Sequence, residues 1–264
     1  MTRRKTTPFG IRTAIVTGAA SGIGARAVAR LRADGVKVLA TDLDENRLTS
    51  LYGDDADIVV VAGDVTDPQH TDHLVTTAQE RLGSIDRLVH CAGIMPGGRV
   101  ADLTREQLFE PMRVNYLGTV TMTTAVLPVM RQQGRGQVVV LGSLTGYVPT
   151  SAFAAYSASK AAVNSFVEVL GQEERRHGIQ VLLVSPTAVK TPLLQQAHDG
   201  PAFVRRLARS ERSPLMTTPD VVLDQVERGL ARGARVVVPG GRALHALRKV
   251  SPGLVWFVTE HLPA

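Results

Sequence analysis

Tyr156 and Lys160 stand four residues apart in the run Tyr156-Ser157-Ala158-Ser159-Lys160, inside an Ala-rich apolar stretch that reads as helix. Four residues is about one helical turn, so a phenol and an ammonium share one face. A free phenol titrates near pH ~10, too high for useful proton transfer at neutral pH. A neighbouring cation favours the phenolate and lowers that value, which makes the pair a candidate acid/base. The same spacing also arises by chance on helix surfaces, so its meaning depends on what surrounds it.

The surroundings begin near the N-terminus. Thr13-Ala14-Ile15-Val16-Thr17 is a short β-branched apolar run of the kind that forms a buried strand. A glycine-rich turn follows, Gly18-Ala19-Ala20-Ser21-Gly22-Ile23-Gly24, and Ala25 to Ala33 then reads as helix. Glycines let a chain turn tightly and approach a pyrophosphate, and a helix N-terminus offers free N–H groups at the positive end of its dipole. The spacing is G-x-x-x-G-x-G rather than G-x-G-x-x-G, but strand before and helix after favour a nucleotide site over an empty tight loop.

A second strand, Val36 to Thr41, ends in Asp42. That carboxylate lies about 20 residues past the glycine turn, where it would accept hydrogen bonds from an adenosine ribose and repel a 2′-phosphate. Neither Ala20 nor Leu43 supplies a compensating cation, so NAD is the expected cofactor and NADP the less favoured one. The plainer role of helix cap falls to Asp44, just before Glu45-Asn46-Arg47-Leu48.

Together these residues resemble the short-chain dehydrogenase/reductase family over roughly residues 9 to 240. Thr17-Gly18-Ala19-Ala20-Ser21-Gly22-Ile23-Gly24 is similar to its T-G-x-x-x-G-x-G cofactor motif. Gly63-Asp64-Val65-Thr66-Asp67 resembles the segment that touches adenine, with Asp64 and Val65 as its contact residues. His90-Cys91-Ala92-Gly93 stands where the family has N-N-A-G, and Val114-Asn115-Tyr116-Leu117-Gly118 resembles the helix carrying its active-site Asn. Gly142-Ser143 ends a strand, Gln137 to Leu141, as the catalytic Ser does, and Tyr156 and Lys160 follow in register. Pro186-Thr187-Ala188-Val189-Lys190-Thr191 resembles P-G-x-V-x-T, which would place Pro186, Val189 and Thr191 at the nicotinamide. The ordered set is far more specific than any one motif.

The resemblance implies a nicotinamide-dependent oxidoreductase that interconverts a secondary alcohol and a ketone. Tyr156 would move the proton, Ser143 would hold the reacting oxygen, Lys160 would depress the Tyr156 pKa and hold the ribose, and Asn115 would anchor a water leading to solvent. An NADPH-dependent carbonyl reductase is the nearer alternative, and a catalytically dead nucleotide-sensing or scaffold protein the more distant one. Two positions depart from the pattern. Cys91 replaces an Asn and lacks its two-sided hydrogen bonding, and Thr187 adds a Cβ where the family has Gly.

The chain has 264 residues, 44% of them hydrophobic, enough for one large core. Apolar strands alternate with amphipathic helices, which predicts an α/β fold: one Rossmann-type doubly wound parallel sheet with helices on both faces. Further strands are expected at Asp57 to Val61, Arg87 to Cys91, Gln180 to Ser185 and Arg235 to Val238, and a helix from near Pro219. A single Cys rules out an intramolecular disulfide and fits a reducing, cytoplasmic setting. Net charge is +6, yet the Arg residues are scattered and four Tyr, six Phe and one Trp offer few stacking platforms, so nucleic acid is not an expected partner. A small-molecule alcohol or ketone and a homodimeric or homotetrameric assembly are. Scattered His residues show no metal-ligand spacing.

Two segments are expected to set substrate choice. Residues 191–216 correspond to a substrate lid. Residues 241–264 form an apolar and basic tail, with Leu244, Leu247 and Val250 at helical spacing and a patch from Leu254 to Val258. The tail packs on the body, on a partner subunit or, less favoured, on a membrane surface. As a lid it would point to a lipophilic substrate, such as a steroid, terpenoid or long-chain carbonyl compound.

Overall fold

The structure is a computed structural model that describes residues 10–197 and 216–254. Seven parallel strands form one sheet in the order β3-β2-β1-β4-β5-β6-β7. They are β1 (Thr13–Thr17), β2 (Lys37–Thr41), β3 (Ile58–Val60), β4 (Arg87–His90), β5 (Gly136–Leu141), β6 (Ile179–Val184) and β7 (Val236–Val237). The helices are α1 (Gly22–Ala33), α2 (Glu45–Tyr52), α3 (Pro68–Leu82), α4 (Arg105–Pro111), α5 (Gly118–Gln133), α6 (Ala154–Glu173), α7 (Pro219–Ala231) and α8 (Arg242–Val250).

β-branched and aliphatic runs bury both faces of the central strands, so β1 and β5 are buried at every position. Leu74, Met122, Val126, Val163 and Val167 cover one face from α3, α5 and α6. Val28 and Leu31 of α1, with Leu223 and Val226 of α7, help cover the other. Helix ends follow their local chemistry. Asp67 caps α3 with Pro68 behind it, and Gly83 ends that helix in the left-handed region at φ 85°. Asp44 caps α2 through the Arg47 N–H at 2.9 Å, as expected.

The strand order reverses between β1 and β4, and there the chain leaves a crevice at the carboxyl ends. Register lines those ends up: Thr17 lies opposite Thr41 on one side and His90 on the other. Asn115 sits where no regular α-helix runs. A π-helical segment, Met112–Leu117, joins α4 to α5 directly after Pro111. Proline removes a backbone donor, and a widened turn of this type often marks a functional position. Among the described residues no helix is long and apolar enough to cross a membrane, and no cluster of side chains could hold a metal ion.

The beginning of the tail is described. Leu244 and Leu247 of α8 pack with Leu144, Val148 and Val238, and the His245 ring meets the Tyr147 ring edge-on at 4.4 Å. Val250, the third member of the expected stripe, is 85% exposed. The patch at residues 255–258 and the lid residues 198–215 lie outside the described residues.

The turn before α8 absorbs the unusual Thr187. Its N–H donates to the Pro239 carbonyl at 3.0 Å. Gly240 has φ 75°, and a Cβ there would lie 2.5 Å from the Thr187 hydroxyl. The side chain that departs from the family pattern is thus fitted against a glycine. Gly240→Ala is expected to cost about 2–4 kcal/mol, from the left-handed backbone and the clash together. In a double-mutant cycle, Thr187→Gly should return the clash part only. Urea melts of the four proteins check this, and strict additivity would show that the two side chains do not meet.

Candidate active site

Four segments converge on the crevice. α6 brings Tyr156 and Lys160, both buried on its inner face. The Ser143 turn follows β5: Ser143 is extended at φ −160°, ψ 150° and starts a short 3-10 turn, Leu144–Gly146. The π-helical segment brings Asn115, and the end of β4 brings Cys91, Ala92 and Gly93.

The Tyr156 hydroxyl hydrogen-bonds with the hydroxyls of Ser143 and Thr145. Those two hydroxyls also meet each other at 2.8 Å. Burial pushes the phenol above its usual value, and the Ser143 and Thr145 bonds oppose the rise. Lys160 is not among the groups that shift it. Its ammonium donates instead to the Leu141 carbonyl at 2.8 Å, and burial pulls its own pKa down to about 8. One helical turn of separation puts the two side chains on a common face, and the hydroxyls of Ser143 and then Thr145 are the groups that lower the phenol.

Asn115 is fully buried and its side chain is spent on structure. Nδ2 donates to the Ile94 carbonyl at 3.0 Å and to the Ser159 hydroxyl at 2.9 Å, while Oδ1 accepts the Ile94 N–H at 2.8 Å. Both Nδ2 protons and one lone pair of Oδ1 are thus taken up by the fold. A Cβ on Gly93 would reach 2.8 Å from that Oδ1 and 3.5 Å from Lys160 Nζ, so the Ala92-Gly93 backbone passes directly beneath both.

The glycine turn is built as a cradle. Gly18 and Gly22 have φ 64° and 55°. A Cβ on Gly18 would meet Ala92 N at 2.8 Å, and one on Gly24 would overlap the Gly18 carbonyl. A Cβ on Gly22 would stand 3.2 Å from the side chain of Thr191, so the segment from Pro186 passes over the turn. Val189 of that segment is buried and bridges to Thr217. Pro186 accepts the Leu144 N–H at 3.0 Å. Ser21 makes no side-chain cap bond, so it leaves the first N–H groups of α1 to another acceptor, and Ile23 is half-buried behind it.

Asp42 ends β2 with one carboxylate oxygen on the Ala20 N–H at 3.0 Å. A cation does stand near it. Arg47 reaches back from α2 and donates its Nε to the Ala20 carbonyl at 2.8 Å, so acid and base flank the same residue. The linear neighbours of Asp42 gave no sign of it; the cap at Asp44, which turns the first turn of α2 back over the glycine loop, was the available signal. Asp64 accepts the Thr66 N–H at 2.9 Å and an Arg113 N–H at 3.1 Å, and Val65 is buried against Gly118.

Cys91 leaves the holding of β4 to a residue on β1. The Thr17 hydroxyl accepts the N–H groups of Cys91 and Ala92 at 3.2 and 3.1 Å. It also meets His90 Nδ1 at 2.9 Å. Burial keeps His90 neutral with a pKa of about 3 and pushes the Cys91 thiol to about 12, which makes the thiol unreactive. Beside Tyr156, apolar Met95, Phe153, Leu194 and Ala197 pack together, and the Met95 N–H donates to Gln196 at 2.9 Å. A cavity of about 110 Å³ lies there, lined by Pro96, Gly98, Leu103, Phe153 and Gln196 among others.

A glycine cradle, a carboxylate at the end of the second strand and a buried hydroxyl triad at one crevice suit a dinucleotide on one side and a proton-exchanging substrate on the other. Comparison with known proteins agrees. The short chain dehydrogenase family matches residues 12–202. An uncharacterized oxidoreductase of Staphylococcus saprophyticus is 38% identical over 185 residues, 68% of this chain and 79% of that protein. A short chain dehydrogenase/reductase from Burkholderia phymatum, solved in complex with NAD, has the same fold, with a TM-score of 0.82, 24% identity and 96% of each chain covered. An actinorhodin polyketide ketoreductase solved with NADPH gives 0.76 at 30% identity, covering 88% of this chain and 97% of that one. On the ordered motifs, the seven-stranded parallel sheet and the family match across most of its length, the chain belongs to the short-chain dehydrogenase family of oxidoreductases.

Proposed function

We propose that the protein interconverts a secondary alcohol and a ketone, with NAD(H) preferred over NADP(H) and a lipophilic substrate. The observation that carries this reading is the buried Tyr156, its hydroxyl joined to Ser143 and Thr145 beside the glycine cradle. When bound, a nicotinamide dinucleotide supplies the hydride acceptor or donor. Gly18, Gly22 and Gly24 leave room for its pyrophosphate, Asp42 for the adenosine ribose, and Lys160 for the nicotinamide ribose.

The protein's own part is proton transfer and positioning. In oxidation the Tyr156 oxygen takes the hydroxyl proton of the alcohol as its carbon loses hydride. In reduction the same phenol returns a proton to the carbonyl oxygen. Ser143 donates a hydrogen bond to that oxygen, where negative charge develops. Because burial raises the phenol, Tyr156 is protonated at neutral pH, and oxidation increases with pH as the phenolate forms. The apolar wall of Met95, Phe153 and Leu194 supports a substrate with a hydrocarbon body.

A panel of secondary alcohols offered with NAD and with NADP, read by absorbance of the reduced cofactor, tests the reading. Cofactor binding without turnover across the panel would favour a nucleotide-sensing protein instead.

Asp42 sets the cofactor prediction and Arg47 tempers it. Wild type should bind NAD(H) more tightly than NADP(H). Asp42→Ala should narrow the gap by removing repulsion of the 2′-phosphate, whereas Arg47→Gln should widen it. Fluorescence titration with both cofactors measures each, and tighter NADP(H) binding by wild type would sink the preference.

Tyr156→Phe should abolish turnover while leaving cofactor affinity within about twofold, since only the oxygen is lost. Lys160→Ala should damage both. Ser143→Ala should lower turnover and move the rise of oxidation to higher pH, because a bond that lowers the phenol pKa is gone. Substantial activity in Tyr156→Phe would assign the proton to another group, and a shift of the Ser143→Ala profile to lower pH would contradict the hydroxyl cluster.

A further inference from the structure

One turn beyond Lys160, the inner face of α6 carries a third polar residue. Asn164 is 2% exposed. Its Nδ2 donates to the Ser143 carbonyl at 3.0 Å, and its Oδ1 accepts from the Ser185 hydroxyl at 3.3 Å. Two glycines make room for it: a Cβ on Gly142 would overlap Oδ1, and one on Gly146 would stand 2.5 Å from Nδ2. A single amide thus joins α6, the turn after β5 and the end of β6.

We propose that Asn164 is a positioning residue for Ser143. The inference rests on the proposed role of Ser143 in holding the reacting oxygen. The Ser143 carbonyl accepts both the Asn164 amide and the Gly146 N–H, the latter at 3.2 Å. Two donors fix the plane of the Ser143–Leu144 peptide, and that plane fixes where the Ser143 hydroxyl points. The hydroxyl of Ser143 and that of Thr145 then meet Tyr156 from the same turn. Tyr156, Lys160 and Asn164 recur every four residues, so one rigid helix sets both the proton-transfer group and the turn that faces it. An Asp at this position keeps the shape and can still accept from Ser185, but when ionised it turns an acceptor toward the Ser143 carbonyl.

Asn164→Asp, Asn164→Ala and Ser185→Ala test this in the full-length protein. The readouts are kcat and KM on the best alcohol of the panel, NAD affinity by fluorescence, thermal stability, and hydrogen exchange of residues 142–148 by mass spectrometry. Asn164→Asp should lower kcat about 10- to 100-fold through misplacement of the turn, with NAD affinity within about twofold and faster exchange confined to 142–148. Its kcat relative to wild type should recover as pH falls, because the introduced carboxyl, once protonated, can donate again. Ser185→Ala keeps the bond to Ser143 and should lose less than about threefold in kcat. Asn164→Ala serves if Asn164→Asp does not fold, and should show the same split without the recovery at low pH. Unchanged kcat, an equal loss of turnover and cofactor affinity, or unaltered exchange at 142–148 would overturn the proposal. If wild type turns over no alcohol, the role of Ser143 fails by itself. The exchange data then decide whether Asn164 holds the turn: faster exchange upholds it and unaltered exchange overturns it.

Discussion

At the end of β1 the Thr17 hydroxyl accepts the amide protons of Cys91 and Ala92, and the rest of the crevice depends on that junction. The two bonds hold the end of β4 against β1 at the point where the strand order reverses. They draw the Ala92 backbone up to Gly18 so closely that no side chain fits between them. The next residue, Gly93, is thereby placed under Asn115 and Lys160. Both halves of the site, the glycine cradle and the buried side chains of Asn115 and Lys160, are referenced to this one contact between neighbouring strands.

The price of building there is burial of polar groups, and the two that flank the crevice from the helical side each find a specific partner. Lys160 loses water and finds the Leu141 carbonyl; Asn115 finds Ile94 and Ser159. His90 gives up its charge, with Nε2 left unpartnered in the interior. A shielded pocket strengthens every interaction that remains, so the hydroxyls around Tyr156 count for more than they would in water. An ammonium satisfied by a backbone carbonyl is oriented by that carbonyl rather than by its neighbour along the helix.

The two departures from the family pattern show different kinds of accommodation. At Cys91 the side chain makes no hydrogen bond among the described residues, and the backbone around it is held from β1. At Thr187 the extra side chain has been fitted to a compensating gap at Gly240, which ties the segment after β6 to the turn that launches α8. Through Leu144 and Tyr147 that helix also touches the turn carrying Ser143. The beginning of the tail is therefore part of the scaffold around the site.

Local chemistry determined a great deal by itself. β-branched runs fixed the strands to within one or two residues, Asp44 and Pro219 marked helix starts, and the glycines between a strand and a helix located the cradle. Tyr156 and Lys160 shared a face because the helical period alone requires it. What only the tertiary structure decided were relations between distant segments. Arg47 came to flank Asp42 because α2 folds back on the glycine turn, and Thr145 and Asn164 joined the site because the end of β5 lies against α6. The destination of the Lys160 ammonium belongs to the same class. Spacing along a chain specifies which face a side chain occupies; the carbonyl or carboxylate it meets is set by packing between elements that the sequence places far apart.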